Sequence, residues 1–287
     1  MRSCIAALFC ISLALAAPTF AAEIHAPAQV TAGTSFSIAT SGSGKATLYL
    51  IGPYSVSKRT VEAGGDISID ASEVEHAGQY SAVLCAGQCS TTHLFVRPTD
   101  GSRISLLVHP SRVPVADSNA ISAVAFVFDR FHNLNLAPGA AVDFKLIPKE
   151  SGELSQARPI ENGVAWVRMT SGRKEGPVTI GASLGKTSEI RVVQQVAADA
   201  CNLRIKAERL EREFFVETDP VRDCSGNSVP DGTVVSFTKT DGSGKTTVDV
   251  PIKRGIAKVG MSVVGEAHIT VASGVVTGNE LNVTEAR

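Results

Sequence analysis

The chain has 287 residues, with 27 basic side chains against 28 acidic ones and a formal net charge of −1. That balance leaves no electrostatic footprint for nucleic acid or an anionic membrane surface, while the length exceeds one β-sandwich and suits three modules of about 100 residues each. Aromatic residues make up only 5%, with one Trp and three Tyr, which leaves little material for an aromatic glycan-stacking platform.

In chain order, the first feature is an export signal over residues 1–21. Arg2 supplies the positive end, and residues 5–17 form an apolar run too short to span a bilayer. Thr19-Phe20-Ala21 places small residues where a signal peptidase reads, so cleavage is expected after Ala21. Cys10 follows Phe9, where a lipid-attachment signal needs a small side chain, which argues against a lipoprotein. No later segment approaches the roughly 20 apolar residues of a membrane span.

A first module is expected over residues 22–98. Ser35-Phe36-Ser37-Ile38, residues 46–51 and Asp66-Ile67-Ser68-Ile69 alternate apolar and polar side chains, the period-two pattern of half-buried strands. Residues 71–76 read as a single helical turn. The following Ala77-Gly78-Gln79-Tyr80 resembles the tyrosine corner of immunoglobulin-like sandwiches, which implies a phenol bonded back to the backbone. Polar residues 97–103 and the short stretch 196–200 then mark linkers, giving a second module over 99–196 and a third over 197–287. Linkers this short predict a fairly stiff array of domains.

The second and third modules share one pattern: strand, Asp-x-x-x-Asn, a Pro- and Gly-containing loop, strand, Gly-x-Ala-x-Val-x-Met. The first copy carries Asp129, Asn133, Pro138, Gly139, Val142, Phe144, Gly163, Ala165, Val167 and Met169. The second carries Asp223, Asn227, Pro230, Gly232, Val235, Phe237, Gly255, Ala257, Val259 and Met261. Each has a folding role: Asp caps a turn, Gly226 and Asn227 tolerate left-handed backbone, and Val235 and Phe237 point inward at i, i+2. Residues 221–237, and more weakly 129–144, resemble the bacterial Ig-like domains of the invasin and intimin family. The resemblance covers about 185 of the 287 residues and implies Greek-key sandwiches used as spacers or surface modules. The expected fold class is therefore all-β, three tandem Ig-like β-sandwiches.

The mature chain keeps four cysteines, Cys85, Cys89, Cys201 and Cys224. An even number in an exported chain reads as disulfides. Cys85 and Cys89 flank a tight hairpin tip; Cys201 opens a strand and Cys224 follows the end of the next, so antiparallel pairing brings each pair together. A zinc site fits less well, because one Cys-x3-Cys and two distant cysteines make poor tetrahedral spacing.

Several motif matches fail on context. Residues 181–185 spell Gly-x-Ser-x-Gly around Ser183, but a nucleophile elbow needs a strand-to-helix turn. Gly242-Ser-Gly244-Lys245-Thr246 has Lys239 where a phosphate loop needs its first Gly. The six histidines show no ligand spacing, and Asp129, Asp143, Asp223, Asp231 and Asp241 form no dense calcium string. No enzyme activity, metal or cofactor is expected.

Two features point to partners. Trp166 stands where the second copy has Lys258, so it should face outward. The charged run 206–215 reads as a hairpin tip, with Arg204, Arg209 and Arg212 as candidate anchors. The functional expectation is an exported, non-enzymatic module for protein interaction in the periplasm or at the cell surface, with envelope or surface proteins as partners. A carbohydrate-binding surface protein using Trp166 or Tyr54 is the alternative, and a hydrolase the remotest reading.

Overall fold

The computed structural model describes residues 22–136, 140–148, 152–210 and 213–285. The signal-peptide expectation, Pro138, Gly139 and Arg212 lie outside the described residues. The protein is all-β as expected, and the only helical element among the described residues is one 3-10 turn at Ala71–Val74. The described residues divide into two compact units: the first holds 22–99 together with 131–133, and the second holds 100–130 together with those from 134 onward.

The first unit contains β1 (Ile24–His25), β2 (Gln29–Thr31), β3 (Phe36–Thr40), β4 (Gly44–Ile51), β5 (Val56–Ala63), β6 (Asp66–Ile69), β7 (Gly78–Ala86) and β8 (Gln88–Arg97). Two sheets, β1-β3-β6 and β2-β8-β7-β4-β5, enclose a core that includes Ile38, Leu48, Ile69, Tyr80 and Leu84. In β4 the alternation is direct: Ala46, Leu48 and Leu50 are buried and their neighbours are not. Tyr80 is buried as a core residue. Its hydroxyl approaches the His76 backbone but completes no hydrogen bond within normal geometry, so the expected corner bond is not made. Burial raises the phenol pKa above its ordinary value.

The Tyr80 ring occupies the space beside Gly52, where a Cβ would lie 2.4 Å from ring atom Cε1. Gly52→Ala is therefore expected to overpack this core at a cost of about 1–3 kcal/mol. A urea titration of the variant checks it, and an unchanged midpoint would show that the ring can move aside.

The second unit holds two sandwiches with separate cores. The first of them uses β9 (Arg103–His109), β10 (Arg112–Pro114), β11 (Ile121–Phe128), β12 (Ala141–Ile147), β13 (Leu154–Pro159), β14 (Val164–Met169), β15 (Gly176–Leu184) and β16 (Thr187–Val196). Its sheets are β14-β11-β9 and β10-β16-β15-β12-β13. The second sandwich uses β17 (Ala200–Asn202), β18 (Ile205–Leu210), β19 (Glu213–Thr218), β20 (Arg222–Asp223), β21 (Val234–Asp241), β22 (Gly244–Pro251), β23 (Lys258–Ser262), β24 (Glu266–Ser273), β25 (Val276–Thr277) and β26 (Leu281–Thr284). Here β18-β19-β23 faces β22-β21-β24-β25, with β26 also paired to β24 and β17 paired to β20.

The repeated residues do the same work in both copies. Val142 and Phe144 are buried in one core, Val235 and Phe237 in the other, each pair at alternate positions of its strand. Ala165, Val167 and Met169 point inward from β14; Ala257 and Met261 do so around β23, with Val259 packed at its margin. Ahead of each of these segments two successive residues take positive φ, Asn162 (51°) with Gly163 (82°) and Arg254 (52°) with Gly255 (82°). That is the backbone pattern of a type I′ turn, which explains the retained Gly.

In the second copy the Asp-x-x-x-Asn segment is a joint between the two sandwiches of the second unit. Asp223 Oδ1 accepts from the backbone N–H groups of Ser225 (2.9 Å) and Asn227 (2.8 Å), and its Oδ2 accepts from Ala198 N (3.0 Å). Asn227 Nδ2 donates to the Arg173 carbonyl (2.9 Å), and its Oδ1 accepts from Glu175 N (3.2 Å), so it holds the loop before β15 in the preceding sandwich. In the first unit Asn133 uses the same geometry: Nδ2 donates to the Glu75 carbonyl (2.7 Å) and Oδ1 accepts from Ala77 N (2.8 Å), just before β7. Both asparagines thus grip two backbone groups two residues apart, immediately ahead of a Gly at a strand start. One expectation is corrected here. Left-handed backbone occurs at Gly226 (φ 85°) and His132 (φ 68°) but not at Asn227; that asparagine is selected for its side-chain amide.

Candidate functional site: the outer sheet face around Trp166

Antiparallel pairing sets three side chains in a row across β14, β11 and β9. Trp166 lies opposite Val124, and Val124 opposite Leu107. The alternation of β11 buries Ile121, Ala123, Ala125 and Val127 and turns Ser122, Val124 and Phe126 to the outer face. Trp166 is 62% exposed and Leu107 58%, so the row presents an indole and two aliphatic groups to solvent. On the same face the next row holds Arg168, Ser122 and His109, and the previous one Val164, Phe126 and Ser105.

The sibling sandwich answers this row with charge. At the matching positions Lys258 pairs with Glu217 and Glu217 with Lys206 across β23, β19 and β18. Lys206 Nζ lies 3.1 Å from Glu217 Oε1, and Lys258 Nζ lies 3.5 Å from Glu217 Oε2 and 5.3 Å from the centre of the Phe215 ring. Hydrogen bonding and attraction from Lys206, ahead of Lys258, hold the Glu217 carboxyl below its ordinary pKa. The two copies therefore solve one position in opposite ways: a solvated ion-pair ladder in one, an exposed apolar row in the other. Cross-strand ladders suit a free surface, whereas a contiguous apolar row is the composition of a contact.

Beside Trp166 runs an open groove of about 660 Å³. It follows β14 from Val164 to Arg168, with Arg158 and Pro159 of β13, Glu161, Asn162 and Asn119 around it. β13 and β14 are both sheet-edge strands among the described residues, joined by a turn whose Glu161 bridges Val164. Arg158 bonds Gln156 Oε1 at 3.0 Å. The side chains of Arg168, Glu161, Asn162 and Asn119 make no hydrogen bond or ion pair with any described residue.

The other sequence candidates lie elsewhere. Arg204 is exposed just before β18, at a shallow polar groove with Asp219 and Asn279. Arg209 is exposed on the β18–β19 hairpin, with its guanidinium 5.9 Å from the Phe214 ring centre. Neither lies with Trp166 in the row or groove. Tyr54 is 83% exposed in the first unit and meets His76 edge-on at 5.2 Å. Leu107 and Val124 escaped sequence reading; comparing the apolar and charged residues at matching repeat positions on all three strands was the signal that could have found them.

Both disulfides form as paired from the sequence. Cys85–Cys89 closes the β7–β8 tip, and Cys201–Cys224 joins the β17–β20 pair beside Asp223. Ser183 sits within β15 and not on an elbow, and Gly242 with Gly244 forms the β21–β22 hairpin tip. Among the described residues no group of three or more His, Cys, Asp and Glu side chains is arranged to hold a metal ion, and no helix is long and apolar enough to cross a membrane.

No family model matches the chain, and no curated protein does. Among solved structures, the Escherichia coli adhesin FdeC superposes with a TM-score of 0.63 at 12% identity, over 93% of this chain and 96% of its own. Invasin, a bacterial integrin-binding protein, superposes with a TM-score of 0.51 at 12% identity, over 93% of this chain and 60% of its own. At such identities the likeness speaks for the fold. The chain has the tandem immunoglobulin-like β-sandwich fold seen in FdeC and invasin.

Proposed function

We propose that this chain is exported to the bacterial envelope or cell surface and works as a non-enzymatic protein-interaction module. Its three domains, over residues 22–98, 99–196 and 197–287, form the scaffold, and the outer face of β14-β11-β9 is the docking surface. One observation carries this reading: the Leu107–Val124–Trp166 row replaces, at matching positions, the Lys206–Glu217–Lys258 ladder. A copy of the fold that needs no partner there keeps charge; the other leaves an indole in water. The apolar N-terminal run and the two disulfides support export to an oxidising compartment. The adhesin fold neighbours support a binding role over catalysis.

The test transplants the ladder. Leu107→Lys, Val124→Glu and Trp166→Lys together should leave the melting temperature within about 2 °C, since all three side chains are on the outer face. In cells, a photo-crosslinking amino acid at position 105 should capture an envelope or surface protein with the native row and lose it with the transplanted one. No adduct from the native row would sink the proposal. N-terminal sequencing of the exported protein should begin at Ala22. Retention on polysaccharide columns, lost on changing Trp166 or Tyr54, would replace the protein-binding reading with the carbohydrate one.

A further inference from the structure

Building on the proposed docking face, we infer the chemistry of its occupant: an extended protein segment that adds along the free edge of β14 and carries a carboxylate two residues from an apolar side chain. The groove supplies the three elements of strand addition in one place. β14 is an edge strand: past the turn bridge between Glu161 and Val164, its outer side pairs with no other strand among the described residues, so the backbone groups of Trp166 and Arg168 offer a ladder to an incoming strand. The groove runs along that edge from Val164 to Arg168. Trp166 and Arg168 lie two residues apart on the same outer face, both exposed.

Strand geometry then sets the motif. Side chains of an added strand stand opposite those of β14 at about 5 Å and repeat on one face every second residue. A residue opposite Trp166 therefore continues the row Leu107–Val124–Trp166 by one strand, and its neighbour at i±2 stands opposite Arg168. Arg168 has no intramolecular partner among the described residues, and a guanidinium accepts a carboxylate through two parallel hydrogen bonds. Arg158 on the far wall adds a second positive charge, against one negative charge at Glu161. This charge complementarity favours an acidic segment over a basic one. The paired edge strands favour a polypeptide over a sugar, because a sugar has no main-chain ladder to match.

The experiment pans random dodecapeptides displayed on phage over the oxidised mature protein, with counter-selection on the Leu107→Lys/Val124→Glu/Trp166→Lys variant. Enriched peptides should carry Asp or Glu two residues from an aliphatic or aromatic side chain. Trp166 is the only Trp of the chain, so its fluorescence reports directly on the site. A synthetic copy of the enriched peptide should shift that emission, and Arg168→Glu should weaken its binding by about tenfold or more. Changing the peptide's acid to Lys should restore binding to the Arg168→Glu protein. Enrichment without acids, equal binding to Arg168→Glu, no enrichment at all, or an emission shift with oligosaccharides alone would each overturn the inference. If the position-105 crosslink persists in Arg168→Glu cells while acidic peptides fail, the docking face stands and the acidic segment falls. If the native row gives no crosslink, both fall.

Discussion

Cys201→Ser with Cys224→Ser should lower the stability of the third sandwich by about 3.5 kcal/mol, the chain-entropy value for a bridge across 23 residues. For a sandwich of about 90 residues that corresponds to a fall in melting temperature of roughly 14–28 °C. Cys85–Cys89 spans only 4 residues, and the same relation gives about 2 kcal/mol. The position of each bridge widens this contrast. Cys85–Cys89 closes a hairpin tip already held by the β7–β8 ladder. Cys201–Cys224 fastens a β17–β20 pair of three and two residues, next to the Asp223 carboxylate that anchors Ala198, Ser225 and Asn227. Differential scanning calorimetry of the two double-serine variants, each against the oxidised protein, measures both. Equal shifts would show that the clasp at Cys201 stabilises no more than the tip does. The same dependence makes stability a marker of compartment: protein kept in a reducing cytoplasm should melt like the serine variants.

The period-two pattern makes the core of the fold legible in the sequence. Phe144 and Phe237, or Ala165 and Ala257, align because each sandwich must bury one face of each strand, and repetition exposes the requirement twice. Tyr80 was readable as a corner residue but not as unbonded, since whether its hydroxyl reaches a partner depends on the loop at His76 and on the space beside Gly52. Local turn chemistry gave a sufficient account of Asp223, and the structure keeps it. It gave a sufficient but wrong account of Asn227, whose partners Arg173 and Glu175 lie more than 50 residues earlier in the chain. The same limit hid the docking face. Trp166 could be placed outward from Lys258 alone, but Leu107 and Val124 join it only through the register of three strands, which alternation by itself does not number.

Asn227→Asp carries the largest effect expected at the joint. Asn227 and Asp223 are buried, at 6% and 4% exposure, and Asn227 Nδ2 lies 3.0 and 3.2 Å from the two Asp223 oxygens. Burial alone would raise the Asp223 pKa, but hydrogen bonds from the Asn227 side chain and backbone, Ala198 and Ser225 outweigh it and hold the carboxyl below the ordinary range. Replacing the amide by a carboxylate removes the donor to Arg173 and sets two like charges within about 3 Å of each other. The cost should be about 3–5 kcal/mol at pH 7, the range for an uncompensated buried charge. Asn227→Ala, which only leaves partners unpaired, should cost about 2 kcal/mol. The pH dependence has opposite signs in the two proteins. In the wild type the depressed Asp223 contributes stability that is present above its unfolded pKa and lost as pH falls through the folded one. In Asn227→Asp the carboxyl pair shares a proton whose folded pKa is raised, so its contribution is full below the unfolded pKa and lost as pH rises through the folded one. Urea midpoints of wild type, Asn227→Ala and Asn227→Asp between pH 4 and 7 resolve this. The gap between wild type and the Asp variant must narrow toward pH 4 while the gap to the Ala variant does not widen; parallel profiles for all three would mean that Asn227 is not the buried hinge-pin between the Asp223 turn and the loop before β15.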